Sequence, residues 1–119
     1  MTSQSVGVSP QRIFAALADA TRCELLELLG GGAASASRLS PPLGISRQAV
    51  AKHLGVLSAA GLVRQRRAGR EIVFEVLPHG LSPASEYIQG VRDCWEKRET
   101  GQEPAPAAQT SLHLQTRNL

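Results

Sequence analysis

The chain has 119 residues, the length of one modal domain, with 42% hydrophobic residues and a net charge of +3. Only Phe14, Phe74, Tyr87 and Trp95 are aromatic, so the core is expected to be aliphatic. Apolar runs such as Ile13 to Ala18 stop far short of the ~18 residues of a membrane span, and residues 1–9 lack the basic start and apolar run of a secretory signal. These features predict a cytoplasmic protein without a membrane partner, in which Cys23 and Cys94 are not paired in a structural disulfide.

Taken in chain order, residues 1–9 read as a flexible N-terminus. Ser9-Pro10 starts a first helix, Ser as N-cap and Pro at the first position, with Ile13, Phe14, Leu17 and Ala18 at helical spacing. Asp19 caps a second helix reaching Leu29, with Leu25, Leu26, Leu28 and Leu29 buried, and Gly30-Gly31-Gly32 ends it. Residues 35–43 predict a short, distorted helix, in which Ser40 caps a first turn made by Pro41 and Pro42. Gly44 then permits a tight turn, Ile45 plugs the core, and Ser46 caps a helix running to about Ala59. The apolar face of this helix is Ala49, Val50, Leu54 and Leu57; its other face is Arg47, Gln48, Lys52 and His53.

After Gly61 the period changes to that of strands. Leu62-Val63 begins one strand, Ile72 to Val76 forms a second, and Ala68-Gly69 is the tip of the hairpin, flanked by Arg66, Arg67 and Arg70. Pro78 stops the second strand. Ala84, Tyr87, Ile88, Val91, Cys94 and Trp95 then mark an amphipathic last helix with more apolar face than so small a domain can cover, which predicts a partner. Residues 101–119 lose periodicity and read as a disordered tail. The fold predicted is mainly α, an α+β winged helix of about five helices and a two-stranded wing, in one domain over residues 10–100.

Charge places the function. Between residues 46 and 70 stand Arg47, Lys52, Arg64, Arg66, Arg67 and Arg70 with no acid among them, a footprint suited to a polyanion. A helix, a tight turn and a second helix exposing Arg, Gln, Lys and His describe a helix-turn-helix that reads double-stranded DNA: Arg pairs with guanine, Gln with adenine, and Lys neutralises phosphate. The Ser46 cap leaves a positive helix end for a phosphate. His53 has two readings, a base or phosphate contact and a half-buried side chain bonded to a neighbour. The arginine-rich hairpin is a wing for the DNA backbone or minor groove. Cys23 and Cys94 are read either as a thiol switch, with Arg22 and Arg98 nearby to lower a thiol pKa, or as two small buried hydrophobes. No nucleophile with an adjacent base, carboxylate pair or phosphate-cradling loop points to an enzyme, and widely spaced Cys23, Cys94 and His79 point to no metal site.

The blocks Leu17-Ala-Asp-Ala-Thr-Arg-Cys-Glu-Leu-Leu-Glu-Leu-Leu29, Ile45-Ser-Arg-Gln-Ala-Val-Ala-Lys-His-Leu54, Val56-Leu-Ser-Ala-Ala-Gly-Leu-Val63 and Ala68-Gly-Arg-Glu71 together resemble the ArsR family of bacterial winged-helix repressors. The resemblance covers roughly residues 12–98. It implies a homodimer, joined through the first and last helices by Ile13, Leu17, Tyr87, Ile88, Val91 and Trp95, on an inverted-repeat operator. It puts Ser46, Arg47, Gln48, Lys52 and His53 on the DNA-reading helix and Arg66, Arg67 and Arg70 on the wing. The family's metal sensors carry Cys-x-Cys before the reading helix, or His and Asp pairs on the last helix. Here the first position reads Ser37-Arg-Leu-Ser40 and the last helix has no histidine, so a repressor without metal or other cofactor is expected. Ala20 stands where the family usually has Pro, and Pro41-Pro42 interrupt a normally regular helix. A thiol-responsive repressor and a winged-helix protein-interaction module are the alternatives.

Overall fold

Ser9 opens helix α1 (Pro10–Leu17): its hydroxyl accepts from the Arg12 N–H, and Pro10 takes a first-turn position where no N–H is missed. The computed structural model describes residues 8–101. Asp19 caps α2 (Ala20–Leu29), its carboxylate accepting from the N–H groups of Thr21 at 2.8 Å and Arg22 at 3.2 Å. Of the four leucines expected inside, Leu25 and Leu29 are buried, Leu26 is half-buried and Leu28 is exposed. Leu25 and Leu29 stack one turn apart, and the other two fall on either flank of that line.

Helix α3 (Ala36–Leu43) corrects one expectation. Its cap is Ser35, whose hydroxyl accepts from the Arg38 N–H at 3.2 Å, and Pro41 and Pro42 lie in the last turn instead of the first. Starting at Ala36 lets the helix bury Leu39, at the cost of the i+4 donors that Pro41 and Pro42 withhold from the Ser37 and Arg38 carbonyls. Ser40 has another task, donating its hydroxyl to the Ile45 carbonyl across the turn. Gly44 makes that turn with φ +68°, a left-handed conformation that favours glycine. Ser46 then caps α4 (Arg47–Ala59) by accepting from the Ala49 N–H at 3.1 Å, and α4 buries Val50, Leu54 and Leu57.

Strands β1 (Val63–Ala68) and β2 (Glu71–Val76) pair antiparallel, Val63 opposite Val76 and Ala68 opposite Glu71. The two-residue tip is therefore Gly69-Arg70, one residue later than expected. Positive φ at Gly69 alone matches a type II′ turn, whose twist suits a hairpin. The base of the hairpin is tied twice: Ala34 and Phe74 exchange backbone hydrogen bonds of 3.1 and 2.9 Å, and the Leu77 N–H reaches the Leu62 carbonyl at 2.9 Å. In the 3-10 turn Pro78–Leu81 that follows, Gly80 lies so close to Gly61 that a Cβ would overlap the Gly61 carbonyl oxygen.

The last helix is α5 (Ser82–Glu99). Among the described residues, five α-helices and a two-stranded hairpin are thus the observed architecture, as predicted. The described chain forms two compact units, one ending at Ser85 and the other starting at Glu86. The first holds an aliphatic core of Ile13, Leu25, Leu29, Leu39, Val50, Leu54, Leu57, Leu62 and Val63, with Phe14 and Phe74 at its margin. Ile13 is wholly buried there. Its expected place on a dimer face is corrected, because Ile13 is used up inside its own chain.

Residues 1–7 and 102–119, most of the expected flexible N-terminus and tail, lie outside the described residues. Val8 packs against the core. Among the described residues no helix is long and apolar enough to cross a membrane.

Candidate nucleic-acid interface

The α3–turn–α4 unit presents the sequence-predicted reading residues on a helix whose opposite side is locked into the core. Arg47, Gln48 and Lys52 are exposed, as is Ser46 at the cap, and Ala51 and Gly55 share their surface. Among the described residues Arg47 and Lys52 make no ion pair, so their charges and donors are available to an external anion. The first-turn N–H groups and the helix dipole add a positive end at Ser46.

His53 is placed differently. It is half-buried, and its Nδ1 lies 3.4 Å from Arg22 Nη1, which matches the reading of a side chain bonded to a neighbour. Arg22, whose expected role is beside the Cys23 thiol, joins three elements. Its Nε donates to the Ala16 carbonyl at 2.6 Å and its Nη2 to the Ala15 carbonyl at 3.3 Å, both in the last turn of α1. Its Nη1 stands 3.9 Å from Asp19 Oδ2. The Arg22 backbone N–H, with that of Thr21, holds the Asp19 carboxyl below its ordinary pKa. The spacing Asp19 to Arg22, one helical turn, was the available signal for this cluster.

On the wing, Glu75 organises the cations. Arg64 Nε donates to Glu75 Oε2 at 2.7 Å and Arg66 Nε to Oε1 at 2.9 Å, so one carboxylate carries both guanidinium groups. Those bonds, from Arg66 first and Arg64 second, hold the Glu75 carboxyl below its ordinary pKa. The pleat sends neighbouring side chains to opposite faces, so Arg66 points with Arg64 and Glu75 while Arg67 points the other way, with Ile72 opposite it. Arg67 and Arg70 are exposed and make no ion pair among the described residues. The three arginines expected to form one cationic end therefore divide into a tethered Arg66 and two free ones.

On α5, Tyr87, Ile88 and Trp95 are exposed and Val91 and Cys94 half-buried. Leu17 of α1 is half-buried against the core. The Cys23 thiol donates to the Leu17 carbonyl at 3.3 Å; Cys94 belongs to the other compact unit, and both are free thiols. Among the described residues no three His, Cys, Asp or Glu side chains cluster as metal ligands.

A family model described as a helix-turn-helix domain matches residues 17–66. The HTH-type transcriptional regulator Rv2034 of Mycobacterium tuberculosis is 43% identical over 74 residues, 62% of this chain and 69% of the relative. An ArsR-like transcriptional regulator from Rhodococcus sp. RHA1 superposes with a TM-score of 0.70 at 41% identity, over 76% of this chain and 86% of that structure. The chain belongs to the ArsR family of winged helix-turn-helix transcriptional regulators. The Transcriptional repressor SdpR of Bacillus subtilis is a more distant relative, 31% identical over 64 residues, 54% of this chain and 71% of that one. Within this ArsR-family chain the matched segment runs from the end of α1 to Arg66 of the wing. It contains Arg22, the whole of α4, and the first two arginines of β1.

Proposed function

We propose that this ArsR-family protein binds an inverted-repeat operator in double-stranded DNA as a homodimer and represses transcription from it, needing no cofactor. One observation carries the reading: α4 exposes Arg47, Gln48 and Lys52 beside its Ser46 cap with no acidic side chain to neutralise them. Arg47 and Gln48, in the first turn, read base edges; Lys52 and the N–H groups after Ser46 bind phosphate; His53 contacts the backbone at the edge of the helix. Arg66, Arg67 and Arg70 extend the contact along the DNA through the wing. Tyr87, Ile88, Val91 and Trp95 of α5, with Leu17 of α1, join the two copies, since an apolar helix face this exposed is costly to leave in water. Repression follows if the bound dimer occludes a promoter, and SdpR, a relative, is a repressor by name. DNA as the target sets the work of the protein in the cytoplasm.

Neither alternative has an observation in its favour. The Cys23 thiol is engaged with a helix carbonyl, and the exposed α5 face is the one this reading assigns to a second copy.

Footprinting on the DNA upstream of its own coding sequence tests the reading. Two protected half-sites about one helical turn apart are expected, with affinity falling steeply as salt rises. A reporter driven by that DNA should fall when the protein is expressed. Val91→Glu should yield monomers with weakened binding. No footprint on any sequence selected from a random pool, or a wild-type monomer by sedimentation at micromolar concentration, would overturn it.

A further inference from the structure

The contact between Arg22 and His53 bears on which ring nitrogen carries a proton. Arginine has only donors, so Nδ1 of His53, 3.4 Å from Arg22 Nη1, accepts and carries no proton. In that pairing the ring proton sits on Nε2. An imidazolium would turn an N–H toward the guanidinium and break the contact. The guanidinium cannot swing away to relieve it, because the Ala15 and Ala16 carbonyls hold Nη2 and Nε and Asp19 flanks Nη1.

His53 stands at the border between the buried and exposed sides of α4. It lies one turn beyond Ala49 and two turns beyond Ser46, on the flank of the helix that carries the cap. The two nitrogens of an imidazole point to nearly opposite sides of the ring. With Nδ1 turned toward Arg22, Nε2 lies on the far edge of the ring. A helix lying in a major groove meets the sugar-phosphate wall along such a flank, while Gln48 and Lys52 occupy the centre of its exposed surface.

We propose that Arg22 is a positioning residue for DNA binding, holding His53 as the Nε2–H tautomer so that this N–H donates to a backbone phosphate. The proposal rests on α4 being the DNA-reading helix. A phosphate oxygen is the matching partner, since it only accepts and the Nε2–H only donates. A neutral donor adds affinity without displacing a counterion, which separates His53 from Lys52: its loss lowers affinity at every salt concentration and leaves the salt slope as it was.

Nitrogen-15 spectroscopy of the His53 ring in the free protein at pH 8 should show one tautomer, protonated on Nε2, and Arg22→Gln should turn it into a mixture. An Nδ1–H tautomer in the wild type, or no change in Arg22→Gln, overturns the proposal. Arg22 also holds the end of α1, so that variant can fail to fold, and a pair at position 53 then decides. Glutamine places its amide nitrogen near the Nε2 position, and asparagine places its amide near the Nδ1 position. On a duplex that the wild type selects from a randomised pool, His53→Gln should bind within about threefold of wild type. His53→Asn should lose roughly tenfold, the factor of one hydrogen bond to a charged group, with an unchanged salt slope. Equal binding by both variants, or the reverse order, overturns the proposal. A wild type that selects no duplex sinks the DNA-binding reading instead, and the ring measurement in the free protein still judges Arg22.

Discussion

Helix α4 and the wing carry comparable positive charge and hold it in different ways. On α4 the exposed Arg47 and Lys52 have no acidic neighbour within a turn, and the opposite side of the helix is fixed by Val50, Leu54 and Leu57. On the wing Arg64 and Arg66 share Glu75, and Arg67 leaves by the other face. A helix keeps its charge partners close in sequence, so availability can be read from the sequence. A hairpin brings them from the opposite strand, and a dense run of arginines there reports charge without reporting which of them is free. The wing has the larger count of arginines, and α4 the larger share of unengaged donors.

The largest effect expected in testing that contrast is on the base of the wing. Gly80→Ala would drive a methyl group into the Gly61 carbonyl oxygen and against Leu62 Cα at 3.2 Å, both backbone atoms that cannot turn aside. A loss of about 3 kcal/mol in stability is expected from denaturant unfolding, the upper end for overpacking. A variant as stable as the wild type would show that this junction yields. Gln48→Ala should cost about 1–3 kcal/mol on a selected operator and much less on random DNA, because a base-reading contact is lost from a helix that is otherwise intact. Equal losses on both would mean that α4 anchors without reading.

A smaller and more discriminating effect comes from comparing two adjacent arginines. Arg67→Ala should weaken binding to all sequences and reduce the salt slope by roughly one counterion per protomer, whereas Arg66→Ala should reduce it by less, since Glu75 already partly neutralises Arg66. Equal slopes for the two variants would mean that DNA draws Arg66 away from Glu75. The smallest effect is on stability against pH. The folded-state pKa of Glu75 is lowered from 4.5, so its contribution is complete above that unfolded-state value and is lost as pH falls through the lower folded-state one. Thermal unfolding of the wild type and Glu75→Gln should therefore differ near neutral pH and converge in strong acid. Because the pairs lie at the surface, with both arginines exposed, the difference is small.

What the sequence determined by itself is local. Ser9, Asp19 and Ser46 cap the helices they precede, Gly44 turns with positive φ, and the spacing of Val50, Leu54 and Leu57 buries one side of α4, because caps, turns and helical periodicity act over a few residues. The exposed surface of α4, which we propose reads DNA, was legible for the same reason. Three things were decided by the tertiary structure. Ser35, and not Ser40, caps α3, because burying Leu39 outweighed the pull of two prolines toward a first turn. Ile13 goes into the core, since only the packed fold shows which side of a short amphipathic helix is covered from within. Arg22 reaches His53 across 31 residues and Glu75 reaches Arg64 and Arg66 across a strand pairing. A guanidinium or a carboxylate bonds whatever the fold places within about 3 Å of it, and that distance is set by the packing of elements, which no spacing along the chain encodes.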